Sequence, residues 1–501
     1  MGGAFAQGGS AMTPDMFIHI GPFEALFLLA LGFFGGMLSG FIGTGGAFVL
    51  TPGMMSIGTP GPIAVASNMC HKFPKAMIGA YRRYKLRQLD PKLALLMATS
   101  AIFGVQVGIQ VQKHIYELLG PTGTNLYVSV AFLIVLPTVA AVLIRDVVKA
   151  RRMGISDLEP RFAAKLEQKF RIPPVIKFNI VGREQSAWLT IPLGFGTGFL
   201  AATIAVGGFI GVPSMIYLIG ASSAVASGTE LGIAFVMGST GTFTWIYLLG
   251  AVDLRLTTLI LATSLIGVQI GAVGTTYVRQ YYIKMAMATV MLLVTLSRAL
   301  AVPGYLVELG WVELDESVVN LLNAFVLPVM TVAFLSSTPI VLYPMMRVRR
   351  KLARAGILDS SLDGISVGKF NWKRIGIFGP LTALNYFILF HDPDWWPRFV
   401  TSIPQHEPLT AALLSIGVIL FAIYWSFVHG SFAYGILDFI RIAPLKREVA
   451  DIIAKDGISG LEAWIDYMER EFGKDTYNHI RWKLLRRRIP TRSLLILSWK
   501  T

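Results

Sequence analysis

Three residues in the segment NMCHKFPK can do chemistry that the apolar sequence around them cannot: Asn68, His71 and Lys72. Spaced by three and four, they share one face of a helix. Lysine supplies a positive point charge, asparagine an amide donor, and histidine a group that titrates near neutral pH. Together they suit a small oxyanion and a proton. Further along, Ser227, Thr229 and Glu230 in SGTELG hold the corresponding place. Glu230 is the one carboxylate between 188 and 252. It is a candidate ion-pair partner for Lys72, or a protonation site that couples ion movement to a proton gradient. A structural reading stands beside each role. Lys72 and Lys75 could snorkel toward an interface, His71 could bond a backbone carbonyl, and the ion pair could be a packing feature.

A second chemistry comes from glycine. Thr44, Gly45 and Gly46 precede a short apolar segment, and so do Val206, Gly207 and Gly208. Paired glycines allow the sharp turn of a broken helix. A half-helix starting there presents unpaired N–H groups and the positive end of its dipole, which attract an anion without a charged side chain. Close packing of small residues is the alternative. Gln106 and Gln269 recur in two GVQ motifs. A polar amide inside an apolar helix must find partners, and the unwound backbone at the glycine breaks would supply them.

These residues sit in two copies of one pattern. LGFFGGMLSGFIGTGGAFVLTP, AVASN and ATSAIFGVQVG recur as LGFGTGFLAATIAVGGFIGVP, AVASG and ATSLIGVQIG. The offset is 162 from Gly45 to Gly207, 160 from Ala64 to Ala224 and 163 from Gln106 to Gln269. Apolar repeats broken by glycines are the pattern of a secondary transporter. Of the 501 residues, 54% are hydrophobic and 15% charged, against about 25% charged in a soluble domain. Lipid must cover this surface.

The net charge of +15 does not signal nucleic acid, because the basic residues lie in loops between apolar spans. Of the 44 Lys and Arg, 38 fall in 82–92, 145–187, 277–284, 344–374 and 440–501. The remaining loops hold Lys113, Arg255 and Arg398. All basic loops reach the cytoplasmic side if each glycine-broken segment, 46–57 and 208–220, makes a hairpin, re-entrant or fully crossing, with the helix before it. The parity then inverts one repeat relative to the other.

The expected architecture is an all-α polytopic membrane protein with two inverted-topology repeats. It has an extracytoplasmic N-terminus (1–22), a first repeat (23–144), a cytoplasmic linker (145–187) and a second repeat (188–301). Three further helices (302–440) and a basic cytoplasmic tail (441–501) follow. The linker carries Pro173–Pro174 and a short helix expected over 161–170. The three extra helices could shield the core or form a homo-oligomer interface. Residues 480–499 mix basic and apolar side chains and could lie on anionic inner-leaflet lipids, or form a small cap with a solvated basic face.

The N-terminus lacks the basic n-region of a cleaved signal peptide. The single cysteine, Cys70, allows no intrachain disulfide. Neither a Walker-type phosphate loop nor an HExxH motif occurs, so no cofactor, metal or catalytic residue is expected. His391, Asp392 and Asp394 beside Trp395 and Trp396 read as an interfacial anchor.

Over residues 25–300, the Gly-Gly pairs, the AVAS segments and the GVQ(V/I)G endings make the chain resemble the TauE/SafE family of membrane proteins, the sulfite exporters. The resemblance implies export of a small sulfur-containing anion such as sulfite or a sulfonate. Alternating access around a midplane site formed by Thr44, Gly45, Gly46, Asn68, Lys72, Gly207, Gly208 and Thr229 is the mechanism expected. His71 and Glu230 would couple it, and Gln106 and Gln269 would support it. An anion channel, a membrane-embedded enzyme and a docking protein are the other classes.

Overall fold

A computed structural model describes residues 11–42, 46–85, 87–152, 169–274, 280–336 and 372–437, with shorter pieces between and beyond them. The helices are α1 (Pro22–Ile42), α2 (Ala47–Ser56), α3 (Gly61–Lys85), α4 (Pro91–Arg152), α5 (Ala187–Ile204) and α6 (Gly208–Ser214). A π turn, Met215–Ile219, continues α6. Then come α7 (Ser223–Leu249), α8 (Leu254–Gly274), α9 (Gln280–Glu308), α10 (Glu316–Leu335), α11 (Trp372–Phe390), α12 (Trp395–Ser402) and α13 (Pro408–Leu437). The protein is an all-α polytopic membrane protein. Eight of the described helices are long and apolar enough to cross a bilayer, whereas Ala47–Ser56 and Gly208–Ile219 are shorter.

Helix ends follow local chemistry. Gly120 breaks α4 with φ 65 and ψ −161, and Pro121 follows it. The two arms double back there. Gln112 on the first donates to the carbonyls of Ala202 and Thr203 (both 3.0 Å), and the Tyr127 hydroxyl on the second lies 3.4 Å from Thr203 Oγ1. Gly250 closes α7 at φ 61, its N–H meeting the carbonyls of Ile246 and Trp245, a left-handed cap that glycine adopts without strain. Asp315 opens α10. The hydroxyl and then the amide of Ser317 hold its carboxyl below the usual carboxylate range.

Each repeat's first helix packs on the GVQ helix of the other repeat. On α1, Gly32 and Gly36 lie against Ile260, Thr263 and Ser264 of α8, and Gly267 of α8 lies against Phe33 and Met37. On α5, Gly194 and Gly198 lie against Met97, Ser100 and Ala101 of α4, while Gly104 meets Phe195 and Phe199. Added Cβ atoms at these glycines would strike backbone atoms of the facing helix or, at Gly32 and Gly194, its hydroxyls as well. Without side chains in the way, the backbones can approach closely, as small-residue interfaces in membranes do.

The bundle has two ends. At one, Met12 N donates to Leu249 O, the Tyr116 hydroxyl meets Met16, and Trp396 Nε1 donates to Val252 O. At the other, Asp90 meets Ile180 and Val181, and Gly220 lies beside Arg183. The linker contributes an antiparallel pair there, β1 (Val175–Phe178) and β2 (Arg183–Ser186), with Val175 opposite Ser186 and Phe178 opposite Arg183. Only a helix and a proline pair were expected in that segment. The described positions 163, 166, 167 and 169 are helical, within the range expected. The extra helices pack on the core. Ser297 of α9 donates to Val326 O of α10 (2.8 Å), Tyr386 of α11 to Thr258 O (3.3 Å), and His429 of α13 lies 3.2 Å from Ala262 O. The tail segment 480–499 lies outside the described residues.

Candidate functional site

The first short helix, α2, runs antiparallel to α1. A Cβ on Gly46 would strike the carbonyl of Gly35, and Gly53 packs against Leu31. The chain therefore returns to the end from which α1 entered, where Gly61 N donates to Asn125 Oδ1 (2.6 Å). The second short helix, α6, does the same from the other end. Gly207 sits against Thr197 O of α5 (2.6 Å for an added Cβ), and the chain leaves at Gly220 beside Arg183. The two hairpins enter from opposite ends, and their tips touch. The rings of Phe48 and Phe209 meet edge-to-face with centroids 4.7 Å apart. Thr44 and Gly45 lie outside the described residues. Gly46 caps α2, its carbonyl accepting from Val49 N and Leu50 N.

The polar residues of α3 converge on this junction. Asn68 Nδ2 donates to Thr51 Oγ1 (2.8 Å) and Ala47 O (3.3 Å), both on α2. The amide expected to bind an anion is thus committed to bracing the first tip, and Asn68 Oδ1 is left buried with no partner. His71 Nε2 lies 2.9 Å from Ser264 Oγ on α8. Its other ring nitrogen, Nδ1, is buried and unpartnered, and so is Lys72 Nζ. By helix rise, residues 68–72 lie about 10–16 Å from the start of α3, deep within a 25-residue helix.

Glu230 on α7 makes no hydrogen bond to Lys72, but the two opposite charges lie close enough to interact. Both carboxylate oxygens are buried without a hydrogen-bond partner. Oε2 fills the place where Gly211 of α6 lacks a Cβ. The glycine on the second short helix thus opens a niche that the carboxylate occupies. Thr229 points away from this group, its hydroxyl accepting from Asp90 N (3.1 Å). Gln106 finds Thr244 on α7 (3.0 Å) and not the unwound backbone. Gln112, which the sequence reading did not single out, grips the last turn of α5 just before the second break. Gln269 has a partner of its own.

Buried ionisable groups without partners are costly in hydrocarbon and usually face a path or a ligand. Lys72 lies on α3 one turn from Asn68, which holds the first tip, and Glu230 lies beside Gly211 at the second. Sequence reasoning missed a third group. Arg298 in α9 is fully buried, and its Nη2 donates to Ser56 Oγ at the end of α2 (2.7 Å), while Nε and Nη1 have no partner. A lone arginine in MLLVTLSRALAV was the available signal. Thr51 and Ser264, which brace Asn68 and His71, gave none, because hydroxyls commonly bond their own helix. Among the described residues, no group of three or more His, Cys, Asp and Glu could hold a metal ion.

The family model described as Sulfite exporter TauE/SafE matches residues 28–298, which begin in α1 and end in α9. The probable membrane transporter protein YjnA of Bacillus subtilis (strain 168) is 24% identical over 247 residues, 49% of this chain and 88% of the relative. No solved structure matches the chain.

Proposed function

The chain belongs to the sulfite exporter TauE/SafE family, and on that premise we propose that it is a secondary transporter that exports a small sulfur-containing anion such as sulfite or an organosulfonate. The observation that carries the reading is the meeting of two oppositely entering half-helices beside Lys72 and Glu230, both buried and without hydrogen-bond partners. Lys72 supplies the charge for the anion. The N-terminus of α2 at Gly46 and the Gly207–Gly208 turn add backbone N–H groups and dipole. Asn68 holds the first tip in register.

The two repeats work as inverted halves that rock about this junction by alternating access. The linker end faces the cytoplasm, in keeping with the ten Lys and Arg of 145–187 and the positive-inside rule. Export of an anion from a cell negative inside is downhill by about 2.3 kcal/mol per charge per 100 mV. Glu230 and His71 are placed to exchange a proton with the anion cycle.

The test is uptake of labelled sulfite, sulfate, thiosulfate and a small sulfonate into proteoliposomes, with and without an imposed potential. Saturable flux that selects among them supports a carrier. Flux that never saturates supports a channel. No flux with correctly inserted protein contradicts both.

A further inference from the structure

Asp90 and Asp253 occupy the same place in the two repeats, 163 residues apart, the same offset as the GVQ motifs. Each opens the helix that carries the GVQ motif, and the two sit at opposite ends of the bundle. The main-chain N–H of Asp90 donates to Thr229 Oγ1 of α7 (3.1 Å). The main-chain N–H of Asp253 donates to Ser67 Oγ of α3 (2.9 Å). Each aspartate thus ties its own repeat to the AVAS helix of the other.

The side chains fix these amides in place. Asp90 Oδ1 accepts from Lys92 N (3.2 Å) and Leu93 N (3.3 Å), and Oδ2 from Ile180 N (2.8 Å) and Val181 N (3.3 Å) of the linker hairpin. Asp253 Oδ1 accepts from Arg255 N (2.9 Å), and Oδ2 from Arg255 Nη2 (2.9 Å). Arg255 in turn donates to Pro393 O (2.6 Å) and Ile18 O (3.2 Å). Asp90, Asp253, Ser67 and Thr229 are all buried. The approach is tight at both ends. A Cβ on Gly228 would strike the carbonyl of Gln88, and Thr257 Oγ1 donates to Ser67 O (3.1 Å).

We propose that Asp90 and Asp253 are paired gate-positioning residues: Asp90 closes the linker end of the transport path, and Asp253 the opposite end. This rests on the alternating-access reading above. Both bonds are made in this structure. Each closure crosses between repeats through an amide-to-hydroxyl bond, a neutral contact weak enough to break and re-form in every cycle. The carboxylates stay bound to their own helix and flank, so the amide returns to the same position each time.

The experiment is hydrogen–deuterium exchange of the full chain in lipid nanodiscs. Thr229→Val and Ser67→Ala remove only the accepting hydroxyls. Thr229→Val should speed exchange about fivefold at 86–93 and leave 251–257 unchanged. Ser67→Ala should do the reverse, and Thr229→Ser should match wild type. Vectorial sulfite flux in the same variants should become slower, since one closure fails. Exchange that changes in neither window, or in both windows for either variant, overturns the proposal. Exchange shifts with unchanged sulfite flux also overturn it, because the bonds would then be local staples. Wild-type protein that moves no anion instead contradicts the transport reading, which the exchange windows do not depend on.

Discussion

The two hairpins, each a long helix and a short one, share a backbone plan and differ in what faces them. The first is braced by Asn68, through Thr51 and Ala47 O, with Lys72 one turn along on the same helix. Among the described residues, no such brace reaches the second from α7. Glu230 presses into the gap left by Gly211, and the tip is held from behind by Gln112 at the end of α5. A duplicated frame has therefore acquired a cationic tip and an acidic one. The lesson is a division of labour. Small residues repeat because the backbone geometry repeats, while the charged residues do not; in the proposed cycle each tip handles a different particle.

The largest effect is all-or-none and concerns opposite entry. A cysteine at exposed Ser317 should react with an impermeant thiol reagent from outside the cell, while one at exposed Asn179 should not. Native Cys70 is buried and gives little background. Labelling of both from the same side would break the comparison. Next in size is Arg255→Ala. It strips the buried Asp253 of its cation and should cost about 3–5 kcal/mol, read as a fall in melting temperature in detergent. An unchanged melting temperature would show that the clamp to Ile18 and Pro393 is dispensable. Gly46→Ala forces a Cβ into the Gly35 carbonyl and should cost about 1–3 kcal/mol, checked by the same melt. Asn68→Ala should be the mildest, at about 1–2 kcal/mol, with a rise in the KM for the anion as the first tip loosens. A KM that stays fixed would remove Asn68 from the positioning role.

Much of the frame was legible because membrane helices are constrained twice, by apolar length and by loop charge. The short segments after Gly46 and Gly208, the paired GVQ motifs and the basic linker all located real elements. The finer chemistry was less legible. The Lys72–Glu230 interaction was readable from charge, but nothing in the sequence said that Gly211 would give the carboxylate its own niche. Gln106 and Gln112 look alike in a string, and only the tilt of α4 against α5 decides which one reaches Thr203. Asp90 and Asp253 were readable in principle, since they keep the 163-residue offset. They escaped notice because each lies at a helix start, where an acidic residue is ordinary.

The measurement that tests the central claim most directly is sulfite flux by wild type, Lys72→Ala and Glu230→Gln in matched proteoliposomes, over a range of pH. The account predicts that Lys72→Ala loses at least tenfold of its flux at every pH while inserting normally. Glu230→Gln should keep saturable exchange but lose its response to an imposed proton gradient. Wild-type flux in both variants would contradict it, since neither tip would then carry the particle assigned to it.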